Sequence, residues 1–129
     1  MNICYFLDEK FIHQLLTTTN SVVKNEPSLD ISFYVGYTGN LIYLKKLKSL
    51  CKIHFPEYKF TFKHIPSEFP DIDDLCSKCY NIKTCASHIQ TPLVYYRLYL
   101  DLIWPEISGK VLHLDLDVIV NCKISEFFN

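Results

Sequence analysis

The sequence predicts an α/β domain with a mainly parallel sheet and flanking helices. Short, nearly all-apolar runs such as Ile3-Cys4-Tyr5-Phe6-Leu7 suit strands buried on both faces of a sheet. Stretches of helical period lie between them, so strands and helices alternate. The apolar run Val111 to Val120 carries two carboxylates, Asp115 and Asp117, one residue apart.

The elements follow in order. Ile3–Leu7 ends at Asp8-Glu9-Lys10, after which Phe11, Leu15, Thr18/Thr19 and Val22/Val23 recur at helical spacing until Asn25-Glu26-Pro27. Ile31 to Val35 reads as a second strand, closed by a turn over Gly36-Tyr37-Thr38-Gly39-Asn40. In the helix that follows, Leu41, Leu44, Leu47 and Leu50/Cys51 face the core, while Lys45, Lys46, Lys48 and Lys52 mostly face solvent. Tyr58, Phe60, Phe62 and His64 alternate with polar residues, as in a strand near a sheet edge. Pro66 and Pro70 break that pattern, and residues 67–90 read as an irregular, cysteine-rich insertion. Thr91-Pro92 then starts a helix, apolar nearly all round and therefore buried, that runs to about Ile103. Trp104-Pro105 and Ser108-Gly109 lead into the Asp115/Asp117 strand.

Composition narrows the function. The 129 residues, 49% hydrophobic and 15% aromatic, suit a single domain with a real core. Thirteen basic and fourteen acidic side chains give a net charge of −1, with no basic stripe beyond Lys45-Lys46-x-Lys48, so nucleic-acid binding is unsupported. No apolar run approaches the roughly 20 residues of a membrane span, and Met1 to Leu7 lacks the charged start of a secretion signal. A cytoplasmic location is expected, in which the six cysteines are reduced thiols or metal ligands.

A strand repeats every two residues, so Asp115 and Asp117 would point to one side while Leu114, Leu116 and Val118 pack behind them. Ionised carboxylates in a buried strand need compensation, and a divalent cation supplies it. A cation held this way suits phosphoryl or glycosyl chemistry, in which it neutralises a diphosphate. Cys76-x-x-Cys79-x5-Cys85-x-x-His88 separately offers three thiolates and an imidazole, a complete tetrahedral zinc set, though the second spacing is unusual.

Lys110-Val111-Leu112-His113-Leu114-Asp115-Leu116-Asp117-Val118-Ile119-Val120, preceded by Tyr96-Arg97-Leu98, resembles the signature block of the family 8 glycosyltransferases. Phe6-Leu7-Asp8-Glu9-Lys10-Phe11 and Ser21-Val22 are similar to that family's first strand, nucleotide loop and first helix. The resemblance implies the Rossmann-like GT-A nucleotide-sugar-binding half, incomplete at its carboxyl end, as a single truncated domain over residues 1–129. It further implies transfer of a hexose, with retention, from a UDP-sugar to an acceptor hydroxyl on a glycan, lipid-linked sugar or protein. By the same resemblance Asp115 and Asp117 bind Mn²⁺ or Mg²⁺, Asp115 also approaches the donor, Asp8 accepts from the uracil edge, Phe11 stacks on the base and Arg97 reaches the sugar and phosphates. His113 stands where the family usually has Tyr, and His88-Ile89 matches a His-Ile pair that members carry near the donor site. The family's later metal-binding His and diphosphate loop have no counterpart here, so a fragment without activity of its own, or one completed by a second chain, is expected. Plainer roles compete: Asp8 as a helix cap, Phe11 as a core anchor and Arg97 as the partner of Asp101. Two other readings are a zinc-stabilised interaction module and an aspartate-nucleophile phosphatase, whose motif normally follows the first strand.

Overall fold

The structure, a computed structural model, describes residues 1–27, 30–81 and 92–128. Four parallel strands, β1 (Asn2–Leu7), β2 (Ser32–Tyr37), β3 (Lys59–His64) and β4 (Val111–His113), lie in the order β3-β2-β1-β4. Helices α1 (Ile12–Asn25) and α2 (Leu41–His54) cover one face. On the other lie α3 (Ile65–Glu68), α4 (Pro70–Asn81), a 3-10 helix over Pro92–Tyr99 and α5 (Leu100–Ile103).

The central strands are as apolar as the sequence demands. In β1, Ile3, Tyr5 and Leu7 join the core with Leu15, Val22, Leu44 and Leu47, while Cys4 and Phe6 face the opposite layer with Tyr96, Ile103 and Trp104. Burial on both faces removes the polar alternation of a half-exposed strand. β3 is an edge strand and only partly buried, as its alternation implies. Asn40 caps α2, its Oδ1 accepting the Ile42 N–H at 2.9 Å.

Strand order sets the position of the site. The chain winds from β1 outward to β3 and then returns to the opposite side of β1 with β4, so the winding reverses between β1 and β4. In open parallel sheets a crevice forms at such a reversal, beyond the carboxyl ends of the strands.

Four expectations need correction. Gly36 and Tyr37 belong to β2 and not to a turn. A Cβ at position 36 would overlap the Phe6 ring and meet Trp104 at 3.3 Å, so this glycine provides room within the strand rather than a bend. Residues 70–81 of the expected irregular insertion form helix α4. Pro70 starts that helix rather than breaking structure, Asp71 and Asp73 favour its positive end, and Ile72 and Cys76, four residues apart, bury one face.

The segment 92–103 is a 3-10 helix followed by one α-turn and is not buried all round. Leu93, Tyr96 and Ile103 are buried, whereas Leu98 and Leu102 lie 69% and 58% exposed. β4 covers only Val111–His113, because the chain leaves β1 after Leu114 donates to the Cys4 carbonyl at 3.1 Å.

Candidate functional site

Beyond β4 the chain keeps a strand-like alternation without a strand's hydrogen bonds. Leu112, Leu114, Leu116 and Val118 pack toward the α1/α2 layer, while Asp115, Asp117 and Ile119 are exposed. The two carboxylates are therefore hydrated rather than sunk in a core strand. Leaving the sheet keeps them in water, where no burial cost arises.

Helix α1 supplies the hydrogen bonds that the sheet does not. Thr18 Oγ1 donates to the Leu116 carbonyl at 2.9 Å, and Asn25 Nδ2 donates to the Val120 carbonyl at 2.8 Å. The Val120 N–H donates to Ser21 Oγ at 2.9 Å, and the Ser125 N–H donates to Glu26 Oε2 at 3.1 Å. The hydrogen bonds from Ser125 hold the Glu26 carboxyl below its ordinary range. Thr18, Ser21 and Asn25 recur three and four residues apart, one row along the helix. In the sequence Thr18 stands out only by its helical spacing with Phe11, Leu15 and Val22. Its polar signal lies in the row it forms with Ser21 and Asn25.

At the reversal point a cleft of about 280 Å³ opens between the ends of β1 and β4. Phe6, Phe11, Leu93 and Val94 line it together with His113 to Asp117. Phe11 from the β1 end and the carboxylates from the β4 end thus share one cavity. The lining is mainly apolar with a few polar groups, as in small-molecule sites.

His113, which replaces the family's usual Tyr, lines the cleft and is half-buried there. Its ring lies 6.0 Å from the Phe6 ring, and its Nδ1 is 3.9 Å from Asp115 Oδ1. Burial lowers its pKa, Asp115 opposes that shift and the Arg97 charge adds to it. The available signal was its place two residues before Asp115, on the same side of the alternation.

The remaining expected residues lie nearby in varied settings. Asp8 caps the 3-10 helix Glu9–Phe11, its Oδ1 accepting the Lys10 N–H at 2.9 Å. Arg97 is exposed, its charge reaches His113, and among the described residues no ion pair joins it to Asp101. Neither Asp8 nor Arg97 is among the described residues lining the cleft. Cys76 and Cys79 lie three residues apart on α4, and burial pushes the Cys76 thiol up to about 11. Cys85 and His88, the other half of the candidate zinc set, lie outside the described residues. Among the described residues, no group of three or more His, Cys, Asp and Glu side chains is placed to hold a metal. Two hydrated carboxylates on a cleft wall nevertheless form a hard oxygen donor set that suits Mg²⁺ or Mn²⁺, with water and ligand oxygens filling the other positions. No helix among the described residues is long and apolar enough to cross a membrane.

Comparison with known proteins agrees with this architecture. A crystal structure of an active-site mutant of LgtC matches with a TM-score of 0.64 at 20% identity, over 98% of this chain and 41% of that one. The galactosyltransferase LgtC in complex with donor and acceptor sugar analogues matches with a TM-score of 0.63, at the same identity and coverage. This chain thus shares the fold of one part of LgtC and spans about two-fifths of its length. Among curated protein sequences nothing matches. The family model described as Glycosyl transferase family 8 matches residues 2–129, nearly the whole sequence. This chain belongs to glycosyltransferase family 8.

Proposed function

We propose that this chain is the donor-binding part of a metal-dependent, retaining hexosyltransferase that uses a UDP-sugar. One observation carries the reading. Asp115 and Asp117 from the end of β4 and Phe11 from the end of β1 line a single cleft at the sheet's reversal point. Family membership supports glycosyl transfer as the chemistry.

In this reading Asp115 and Asp117 hold Mn²⁺ or Mg²⁺, and Asp115 also approaches the donor. A divalent ion bound there neutralises the diphosphate, whose growing charge as leaving group would otherwise oppose cleavage of the sugar–phosphate bond. Phe11 offers a ring face to the base, stacking without the hydrogen bond that a tyrosine would add. Asp8 uses one carboxylate oxygen on the Lys10 N–H and has a second for the uracil edge. Arg97 brings positive charge toward the phosphates and sugar. The α1 row fixes the backbone on which both carboxylates ride, so their spacing is set before ligand arrives.

The chain spans 41% of the solved structures that it resembles, so the acceptor side and the transfer step enter the proposal only with further polypeptide. A second chain completing the domain would provide it, and the acceptor is then a glycan, lipid-linked sugar or protein hydroxyl. Titration calorimetry of UDP against the chain tests this reading. Binding that needs Mn²⁺ and disappears in Asp117→Ala supports it, whereas equal binding by that variant, or binding indifferent to Mn²⁺, contradicts it.

A further inference from the structure

Helix α2 has a second face that packing on the sheet leaves unused. Leu44, Leu47 and Cys51 are buried against the core. On the outward side Ile42 is 73% exposed and Ile53 70%, and no other apolar side chains of α2 are so bare. They lie eleven residues apart, about three turns, and so stand on nearly one line along the helix. Lys45, Lys46, Lys48 and Lys52 are all exposed, and Lys45, Lys46 and Lys52 flank that line on its two sides.

The charge on this face is of one sign. From Asn40 to Pro56 there is no Asp or Glu, although the whole chain carries a net −1. Among the described residues no carboxylate forms an ion pair with these lysines. Lys48 instead lies 5.7 Å from the centre of the Phe62 ring.

We propose that α2 docks lengthwise on an anionic lipid surface, with Ile42 and Ile53 inserted among the headgroups and Lys45, Lys46 and Lys52 on the lipid phosphates. The residue types select this partner. Lysine is depleted at protein–protein interfaces, where Arg and aromatic residues are enriched, and α2 has no Arg. Compact ammonium charges beside exposed aliphatic tips are what a bilayer interface takes up, the charges through anionic headgroups and the tips through acyl chains. The inference does not depend on what occupies the cleft. Because α2 starts just past the carboxyl end of β2, its Ile42 end and the cleft lie at the same end of the sheet.

Co-sedimentation of the full chain with vesicles tests the proposal, comparing phosphatidylcholine alone with phosphatidylcholine containing one-third phosphatidylserine. The chain should sediment with the anionic vesicles and be released by high salt. Each lysine near the surface contributes roughly a fivefold factor, so Lys45→Gln/Lys46→Gln/Lys52→Gln should lower partitioning about a hundredfold. Ile42→Ser/Ile53→Ser should lower it about tenfold or more while leaving the salt dependence in place. Both variants change exposed side chains only, and circular dichroism checks that they fold. Equal sedimentation with neutral vesicles, no sedimentation with anionic ones, or wild-type partitioning by the folded lysine variant would overturn the proposal. Polyglutamate competing for this face more strongly than the anionic vesicles would also overturn it.

Discussion

Replacing Ser21 or Asn25 by alanine should loosen the Asp115/Asp117 segment without touching it. Val120 is 8% exposed, and its N–H and carbonyl are satisfied by Ser21 Oγ at 2.9 Å and Asn25 Nδ2 at 2.8 Å. Removing one partner leaves a buried polar group unsatisfied, at a cost of about 1–3 kcal/mol. The N–H has a single hydrogen to place, so Ser21→Ala should reach the upper part of that range. Asn25→Ala should stay lower, because a carbonyl tolerates a missing partner better. With a urea slope of about 1–3 kcal/mol per molar, a loss of about 2 kcal/mol shifts the unfolding midpoint by roughly 1 M. The two variants share Val120, so their effects should not add. Ser49→Ala is the control: Ser49 is exposed and donates only to the Lys45 carbonyl of its own helix, so it should change stability by less than about 0.5 kcal/mol. Urea unfolding measures the global effect, and amide exchange over Leu114 to Val120 reports the local one. Midpoints matching the control, with exchange of that segment unchanged, would refute the idea that α1 holds it.

Two further outcomes follow from the packing and the charges. Gly36→Ala should destabilise the chain by about 1–3 kcal/mol, because the added methyl must displace the Phe6 ring, which also lines the cleft; thermal unfolding checks this. Stability should also fall with acid in two stages. The fold depresses the pKa of His113, chiefly by burial, so its contribution is present above the ordinary value of 6.5 and is lost as pH falls through the lower folded value. The Ser125 hydrogen bonds depress Glu26 likewise, so its contribution is present above 4.5 and is lost below that. Urea midpoints measured against pH should fall in both windows, with the first step absent in His113→Phe and the second in Glu26→Gln.

The parts of the fold legible in the sequence are those in which one periodicity governs. β1 is a bare apolar run, α1 and α2 repeat every three to four residues, and β3 alternates as an edge strand does. α4 was hidden because Pro66 and Pro70 read as breakers, although proline is at home in a first helical turn. β4 was overestimated because period two marks an extended chain whether or not a neighbouring strand pairs with it. After Leu114, α1 side chains take over that pairing, and a distant helix leaves no local mark on the segment it holds. The positions of Asp115 and Asp117 could be found from the motif. Their exposure could not, since apolar flanks look alike in a buried strand and in a loop packed on one side.

The central claim is that both carboxylates hold a cation inside the cleft, and paramagnetic broadening of amide resonances by Mn²⁺ in the presence of UDP tests it most directly. The account predicts that signals from His113 to Val118 and from Phe11 broaden first, with those at the His54 end of α2 least affected and the effect abolished in Asp117→Ala. Broadening centred elsewhere, or the same pattern persisting in that variant, would contradict it.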